Sequence, residues 1–477
     1  MNHDYSELGF KSGLEIHQQL EGTKLFCQCP TTIKKEDEDF SIQRKLKARA
    51  GETGNVDQAA RHEQEKDKTF IYKGYDDITC LVEADEEPPH PVNEEALTIA
   101  LKVAKLLNMD VAGKIQFMRK TVVDGSNTSG FQRTALIGTD GYLNVDGKEI
   151  GIESLCLEEE ACQVLERTEK KDIYNLSRLG IPLLEIATAP DISDPEECKA
   201  VAEKIGMILR SVDGMKRGIG SIRQDVNVSI EDGARTEIKG FQDYRNIPDV
   251  VENEVERQIQ ALEEGDGVEE SVRKAEEDGT TTYLRPMPGA DRMYPETDIE
   301  KITPDLEDIE VPETLEEKEN RLQEEYDVSE QLAQQITRYE SKGGDIETYM
   351  EKYGNDNLTD TNIAETIMVT VPNVEEEIGN VGFGEIRHDL FNAVRDGKIS
   401  SNNIEKILED KARNGEIDLS DYESISEEKI REVVRQKIEE DPDAPVGGLM
   451  GDVMQELRGK ADGSEVMRIL KEEKGSS

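Results

Sequence analysis

The sequence predicts an α+β fold, in which strands and helices mix over residues 1–300 and helices dominate the remainder. Alternating runs such as YLNVDGKEIGIES (142–154) and IRQDVNVSI (222–230) are typical of strands. From Thr303 a segment rich in acidic residues and proline follows, and beyond it the periodicity is helical with little strand signal. A chain of 477 residues is long enough for two or three domains.

Three helices are predicted in the first part, each beginning at a capping signal. Asn93 precedes apolar residues that recur at helical spacing. Asp194, followed directly by a proline, begins a second helix that continues to Leu209. Pro248–Leu262 is the third. The runs between these helices, including IPLLEIATA and RTEIKGF, are predicted as strands of the same domain.

The chain is strongly acidic, with 106 Asp and Glu against 58 Lys and Arg, a formal net charge of −48. Disorder would explain such a balance, but the clear periodicities favour a folded, halophilic protein whose carboxylate surface maintains solubility in concentrated salt. No apolar run approaches the roughly 20 residues that span a bilayer, and the N-terminus lacks the features of a signal peptide. We therefore predict a cytoplasmic protein without membrane attachment.

Several polar residues occur where strands should be apolar. In GLEIHQQL, Glu15 and His17 share one face, which is either the wet side of a half-buried strand or part of a polar site. In IPLLEIATA, Glu185 interrupts an apolar run, and a buried carboxylate needs a cation, a metal ion or a proton. A structural ion pair and a site residue are equally good interpretations of Glu185. The triplet at 158–160, in LCLEEEACQ, is interesting only because of its position near Glu185.

The tightest pattern is a predicted hairpin. On IRQDVNVSI one face carries Arg223, Asp225 and Asn227, and RTEIKGF follows after the turn-like EDGA. If the two strands share a face, Glu237 and Lys239 join this array. Such a surface suits phosphate groups and Mg²⁺, although cross-strand salt bridges on a solvated face are an equal alternative.

Other chemistries have less support. The sequence contains no P-loop and no dinucleotide-binding glycine motif, and its five histidines lack the spacing of zinc proteases. Cys27 and Cys29 supply at most two metal ligands, whereas a closed zinc site needs four, and the other four cysteines form no C-x-x-C pair. Small thiols in a turn are the favoured interpretation.

These residues also carry a family resemblance. It rests on long, ordered strings: GLEIHQQL…KLFCQCP, KARAGETGNVD, TCLVEADEEPPHPVN, NLSRLGIPLLEIATAPDI, GSIRQDVNVSI, EIKGFQ, RPMPGADRMYPETDI and VGGLMGDVMQELRGKADG. They resemble the amidotransferase family that comprises the B subunit of aspartyl/glutamyl-tRNA amidotransferase and the archaeal E subunit of glutamyl-tRNA(Gln) amidotransferase. The details resemble the E type. The extra domain that the E type carries before DGTT is missing, since only EEGDGVEESVRKAE stands there.

The resemblance implies a fold of three parts. A cradle-shaped catalytic domain would occupy residues 1–300, a helical domain 301–398, and a YqeY-like tail domain 399–477 that binds tRNA through residues including Arg458 and Lys460. It implies a carbon–nitrogen ligase, glutaminyl-tRNA synthase (glutamine-hydrolysing), which uses ATP and Mg²⁺ to activate the glutamate of Glu-tRNA(Gln) before amidation by ammonia. The implied partner is an asparaginase-like D subunit, in a heterotetramer of two D and two E subunits. Alternatives are a B-like protein that also amidates Asp-tRNA(Asn) and a non-catalytic tRNA-binding subunit.

The resemblance also implies roles for residues. Metal ligands of the family match His17, Glu159 and Glu185, with Glu15 and Glu158 beside them. Arg223 and Lys239 would bind ATP or acyl-phosphate oxygens, whereas Asp225, Asn227 and Glu237 would line the same site. The second cysteine pair of the B-type zinc knuckle is missing, so the resemblance does not supply a complete zinc site.

Overall fold

The computed structural model describes residues 3–47, 64, 66–241, 243–287, 293–340, 344–423, 427–442, 444–457, 461 and 463–475. The chain divides into two compact units, Met1–Thr314 and Leu315–Ser477. Within the described ranges every strand belongs to the first unit, and the second unit is helical. The predicted α+β class is confirmed.

Two sheets make up the strand structure of the first unit. The strands are β1 Lys11–Gln19, β2 Phe40–Arg44, β3 Thr69–Gly74, β4 Asp110–Val111, β5 Phe117–Thr121, β6 Phe131–Val145, β7 Lys148–Glu159, β8 Gln163–Arg167, β9 Lys171–Asn175, β10 Pro182–Thr188, β11 Ile222–Ser229, β12 Thr236–Phe241, β13 Ser271–Ala275, β14 Thr281–Pro286 and β15 Met293–Pro295. The large sheet has the order β14-β13-β12-β11-β1-β10-β7-β6-β5-β15, with β4 paired to β6. The small sheet has the order β2-β3-β9-β8.

The three predicted helices are confirmed as α1 Glu94–Leu106, α2 Pro195–Arg210 and α3 Ile247–Glu264. The Asn93 side chain accepts a hydrogen bond of 3.0 Å from the backbone N–H of Ala96, and Asp194 caps α2 in the same way. All three helices contribute to the core that covers one face of the large sheet.

Strand β1 lies in the middle of the large sheet, between β10 and β11, and is antiparallel to both. Its Leu14 and Ile16 side chains are 1% and 0% exposed and pack in the core with the helices. Alternation along the strand therefore directs Glu15 and His17 to the opposite face. The predicted hairpin is confirmed as β11 and β12, although its connection is six residues rather than four because each strand is one residue shorter at the turn.

The second unit consists of short helices around two apolar cores. They are α4 Leu315–Tyr326, α5 Glu330–Glu340, α6 Glu347–Tyr353, α7 Asp360–Glu365, α8 Val371–Glu377, α9 Phe383–Arg395, α10 Ile404–Asn414, α11 Glu427–Glu440, α12 Val446–Leu457 and α13 Gly463–Gly475. One core includes Leu390 and Leu408, the other Val434 and Val453. The three-domain division stays a prediction, and Arg458 and Lys460 lie outside the described residues. None of the described helices is long and apolar enough to cross a membrane.

Candidate active site

The polar face of the large sheet and the small sheet enclose a cavity of about 640 Å³. Strands β1, β10, β11 and β12 supply its base, and Lys68, Arg167 and Asp172 of the small-sheet region form part of its wall. The structure brings nine of the ten predicted site residues together at this cavity. Eight of them line it: Glu15, His17, Glu158, Glu185, Arg223, Asn227, Glu237 and Lys239. Asp225 lies directly beside it, paired with Lys239, and Glu159 is the exception.

His17 is held between two carboxylates. Its Nε2 lies 3.2 Å from Glu185 Oε2 and 3.3 Å from Glu15 Oε1. The register of the sheet creates this contact, because His17 stands opposite Glu185 on β10 and opposite Arg223 on β11. Burial disfavours protonation of the imidazole, but the hydrogen bond and charge of Glu185 outweigh it and raise the pKa of His17 to about 9.

Glu185 therefore has the cationic partners that its sequence position requires. Besides His17, Lys120 Nζ lies 3.7 Å from it. These partners outweigh burial and lower the pKa of Glu185, whereas burial and the charge of Glu185 raise the pKa of Glu15 to about 7. The carboxylates around Glu15 thus contribute more negative charge than the neighbouring cations neutralise.

The donor atoms at Glu15 fit the Mg²⁺ that the resemblance implies. Ligand atoms of Glu15, His17 and Glu185 lie within 4.8 Å of one another, and so do those of Glu15, Asp225 and Glu237. Glu15 belongs to both groups. The second group offers only oxygen ligands, which Mg²⁺ prefers, whereas the imidazole in the first is a less usual partner for this ion.

In the second group of ligands, the Lys239 ammonium group pairs with two of the three carboxylates. Its Nζ lies 2.6 Å from Asp225 Oδ2 and also pairs with Glu237. Burial disfavours its ammonium form, but Asp225 and Glu237 outweigh this and raise its pKa. Asn227 stands opposite Glu237 in the β11–β12 register. The two faces of the hairpin therefore coincide, and its cross-strand salt bridge faces the cavity rather than open solvent.

The glutamate triplet divides between two faces of β7. Glu158 faces the cavity, 2.7 Å from Lys120 Nζ and 2.8 Å from Gln132 Nε2. Glu159 faces the other way and accepts a hydrogen bond of 3.0 Å from the backbone N–H of Arg133. The metal role expected for Glu159 does not fit this position, because strand alternation places its carboxylate on the side opposite His17 and Glu185.

Glu160 returns to the cavity side. Its carboxylate lies 2.9 Å from Arg223 Nη2 and accepts a hydrogen bond of 2.8 Å from Gln19 Nε2. Burial would raise the pKa of Glu160, but Arg223 and Arg178 outweigh it and lower that pKa. Arg223 is therefore positioned by a buried, ionised carboxylate. Lys120 and Glu160 also line the cavity. The sequence analysis named Glu160 only as part of the glutamate triplet and did not name Lys120, for which a lysine inside the strand FMRKT was the available signal.

A second group of potential ligands lies outside the cavity. Cys80 and Glu83 approach Cys27 and Cys29, and ligand atoms of all four lie within 4.8 Å of one another. Cys27 Sγ donates to Glu83 Oε1 at 2.8 Å, and the Cys80 backbone N–H donates to Glu83 Oε2 at 2.7 Å. The buried Lys24 Nζ is 3.5 Å from Glu83. The expectation that the cysteines offer only two ligands was incomplete, because the other two come from a distant turn.

Together, the fold and this cavity define an α+β protein whose open sheet face can bind metal ions and phosphate groups. Comparison with known proteins specifies the family. The GatB/GatE catalytic domain matches residues 10–310, and the GatB domain matches residues 384–473. The chain therefore belongs to the GatB/GatE family, which confirms the resemblance found in its motifs.

Its relatives include archaeal proteins named as the E subunit of glutamyl-tRNA(Gln) amidotransferase. The one from Archaeoglobus fulgidus is 36% identical, with 98% of each chain covered. Those from Methanocaldococcus jannaschii and Haloarcula marismortui are 36% and 34% identical, with 99% of each chain covered. The first alignment runs over 611 positions, against 477 residues here, so this relative has more than a hundred residues without a counterpart in this chain.

Proposed function

We propose that this protein is the activating and amidating subunit of a glutamyl-tRNA(Gln) amidotransferase. In this proposal, ATP transfers its γ-phosphoryl group to the side-chain carboxylate of the glutamate esterified to tRNA(Gln). Ammonia then attacks the acyl phosphate, phosphate leaves, and Gln-tRNA(Gln) is formed. Family membership and the names of relatives that match almost the full chain support a tRNA amidotransferase role.

One observation carries the proposal: the same cavity contains potential metal ligands and cations that are held by carboxylates. A carboxylate is a poor electrophile until phosphorylation gives it a leaving group, and phosphoryl transfer needs positioning and charge neutralisation rather than a protein nucleophile. Among the described residues that line the cavity there is no serine or cysteine. Cys156 stands opposite Glu185 on β7, but burial raises the pKa of its thiol to about 12, so the thiol is protonated and a poor nucleophile.

The main polar residues of the cavity have separate roles in this proposal. Glu15, Glu185 and His17, the last after it loses a proton, would hold Mg²⁺, which would neutralise phosphate charge and polarise the transferred phosphoryl group. Arg223, fixed by Glu160, and Lys239, fixed by Asp225 and Glu237, bind phosphate oxygens of ATP or the acyl phosphate. Lys120 orients Glu158 and Glu185, and Asn227 contributes an amide.

The ammonia and the tRNA extend the proposal beyond this chain. Ammonia would come from glutamine hydrolysis in an asparaginase-like D subunit, within a heterotetramer of two D and two E subunits. The tail, including Arg458 and Lys460, would bind tRNA. Reversing both charges to Glu should weaken tRNA binding, whereas Lys471→Glu, a charge reversal on exposed α13, should not. Equal effects of the two changes would contradict this role for the tail.

The primary test is amidation of Glu-tRNA(Gln) by the purified chain in high KCl with Mg²⁺, ATP and ammonium chloride, with and without the D subunit. Product without the D subunit supports activation and amidation in this chain, since free ammonia replaces glutamine hydrolysis. Product only with the D subunit supports an active site in this chain that becomes competent when the complex assembles. No product in either reaction, with tRNA binding intact, overturns the proposal. Asp-tRNA(Asn) as a second substrate tests the B-like alternative.

Substitution of Glu185 tests the site itself. Glu185→Gln keeps the side-chain shape but removes a charge that metal and phosphate chemistry requires, so kcat should fall by at least about 100-fold. Binding of tRNA should remain within about threefold. Glu153→Gln, on the exposed part of β7, is the matched control and should keep wild-type turnover. Normal turnover of Glu185→Gln would refute the assignment.

We also propose that Cys27, Cys29, Cys80 and Glu83 hold a structural zinc ion. Three thiols and a carboxylate around a common point are a suitable donor set for four-coordinate zinc. Lys24, buried beside Glu83, would offset the surplus negative charge of such a site. Burial and the charge of Glu83 raise the pKa of Cys29 to about 11, so metal binding must displace protons from thiols.

A further inference from the structure

We propose that Arg167, Arg235 and Arg285, here called the arginine rim, bind the phosphodiester backbone of the RNA strand whose 3′ end enters the cavity. This inference rests on the proposed function, because it takes an aminoacylated RNA as the substrate. It assigns these three arginines a positioning role that the activation chemistry does not require. The case for it comes from charge, pairing and placement.

The cavity differs from the rest of the chain in its charge. Its described lining contains eight Lys and Arg residues and seven Asp and Glu. The whole chain has 58 Lys and Arg against 106 Asp and Glu. Cations are therefore concentrated at this cavity in a protein that otherwise repels anions, which indicates a polyanionic ligand.

Four of the eight cations of the cavity, including Lys120, are paired with carboxylates. Lys68 lies 2.9 Å from Asp172, and Arg223 and Lys239 have the partners described above. Within the described part of the chain, no carboxylate lies within ion-pair distance of Arg167, Arg235 or Arg285. In so acidic a chain, three unpaired guanidinium groups at one cavity are available to a ligand. Guanidinium binds phosphate with two parallel hydrogen bonds, so phosphate is the matching chemistry.

The three arginines reach the cavity from different elements. Arg167 is the last residue of β8, Arg235 directly precedes β12, and Arg285 belongs to β14. Arg167 and Arg235 are exposed, whereas Arg285 is half-buried. Their exposure indicates the solvent-facing side of the cavity, in contrast to the buried Lys120 and Glu158.

A β-bulge directs Arg285 into the cavity. Val272 pairs with Arg285 but the next residue, Arg273, pairs with Tyr283, so Leu284 is an extra residue in β14. In a regular strand, Leu284 and Arg285 would point to opposite faces, yet both line the cavity. Bulges of this kind redirect side chains near functional sites. Leu284 is 48% exposed and offers an apolar surface to a base beside the phosphate contact.

An RNA strand fits this rim better than ATP does. The phosphates of ATP must reach the reacting carboxylate. In the proposed function, Lys239, Arg223 and the metal ligands already bind them there. A tRNA inserts only its aminoacylated end, so its adjacent phosphates remain at the opening of the cavity. Arginines without carboxylate partners, two of them exposed, match a ligand that continues outward.

The test measures binding without turnover. The probe is an RNA hairpin that reproduces the acceptor stem with a single-stranded CCA end, titrated with the full chain between about 0.1 and 1 M KCl. Each of Arg167→Ala, Arg235→Ala and Arg285→Ala should raise Kd about 5-fold, and the triple variant by about 50-fold or more. The slope of log K against log[KCl] should become shallower by about one for each arginine removed. Kd for MgATP should stay within twofold.

Controls distinguish a binding role from a folding role. Arg210→Ala, at the exposed end of α2, should leave every value unchanged. Arg285→Lys keeps the charge but loses the two-point contact, so it should recover part of the affinity. Unchanged RNA affinity in the triple variant overturns the inference. Weakened MgATP binding with unchanged RNA binding also overturns it and assigns the rim to the nucleotide.

The outcome is independent of the proposed activity. RNA binding that depends on the three arginines, without any amidation, would support the inference about the arginine rim and refute the amidating function. Amidation with the same KM for Glu-tRNA(Gln) in wild type and triple variant would keep the function and refute the rim. The inference predicts a KM raised about 10-fold or more, with kcat within twofold.

Discussion

Glu296 joins two arginines, one of which also pairs with Glu159. Arg133 Nε donates to Glu296 Oε2 at 2.7 Å, and Arg119 donates to the other oxygen. Burial alone would raise the pKa of Glu296, but the hydrogen bonds from Arg119 and Arg133 outweigh it and lower that pKa to about 2. Because Arg133 also holds Glu159, this ion-pair network supports the strand β7 on which Glu158 stands.

We expect Glu296→Gln to destabilise the protein by about 3 kcal/mol at pH 7, because it leaves two arginines without their shared carboxylate. A lowered pKa means that Glu296 contributes stability above the unfolded pKa of about 4.5 and loses this contribution as the pH falls towards 2. The difference between variant and wild type should therefore shrink between pH 5 and pH 3 in denaturant titrations. Glu300→Gln, exposed in the same segment, is the control. A difference that does not change with pH would contradict this account.

At the level of single residues, strand alternation made most of the site predictable. Glu15, His17, Asp225 and Lys239 lie where a two-residue period places them. Alternation does not tell which member of a glutamate triplet faces inward, because that depends on the register of β7 against β10. For this reason Glu159 was expected among the metal ligands although its carboxylate faces away from the cavity.

Residues that reach the site across long sequence distances were missed. Lys120 meets Glu158 through the pairing of β5, β6 and β7, and Cys80 meets Cys27 through two turns. Neither contact leaves a periodic signal in the local sequence. Contacts of this kind are determined by topology.

At the level of elements, the Cys27–Cys29 turn and the Cys80–Glu83 turn are joined by their ligand cluster. We expect about one zinc ion per purified chain, lost in Cys80→Ser and in Glu83→Ala, with a lower thermal midpoint after chelation. Metal analysis and the visible spectrum of the cobalt-substituted protein check this. Cys198→Ala, a buried thiol on α2, should retain zinc. Without bound metal, the cluster is a Lys24–Glu83 ion pair to which thiols donate.

The cap of α1 links this helix to the segment after β1. Asn93 accepts from the Ala96 N–H and also donates to the Thr23 carbonyl oxygen at 3.0 Å. Asn93→Ala should cost about 1–2 kcal/mol in free energy of unfolding, measured by denaturant titration. Asn93→Ser keeps the cap acceptor but loses the donor to Thr23, so its loss should be smaller. Equal losses in both variants would show that the cap contributes little.

Helices and hairpins were predictable because capping residues and turns are local signals. The parallel pairs were not. Strand β12 pairs with β13 across α3, and β3 pairs with β9 across about a hundred residues. Nothing in the strand sequences specifies these partners, so the small sheet and the wall it contributes to the cavity were not foreseen.

At the level of the whole molecule, the net charge of −48 dominates. Repulsion among surplus carboxylates opposes compaction, and salt screens it over a Debye length of about 3 Å at 1 M. We expect the thermal midpoint to rise by at least about 10 °C between 0.1 M and 2 M KCl. Sucrose at equal osmolality should raise it less. Equal midpoints at both salt concentrations would refute adaptation to high salt.

The central position of β1 has a consequence for the synthesis of the chain. This strand leaves the ribosome before its neighbour β11, which ends about 210 residues later. At 5–20 residues per second, β1 waits about 10–40 s with an unpaired edge. Glu15 and His17 then keep an apolar strand partly polar during the period in which it is most prone to aggregation. We therefore expect the residues proposed to bind metal also to limit aggregation of the nascent chain before the sheet closes around them.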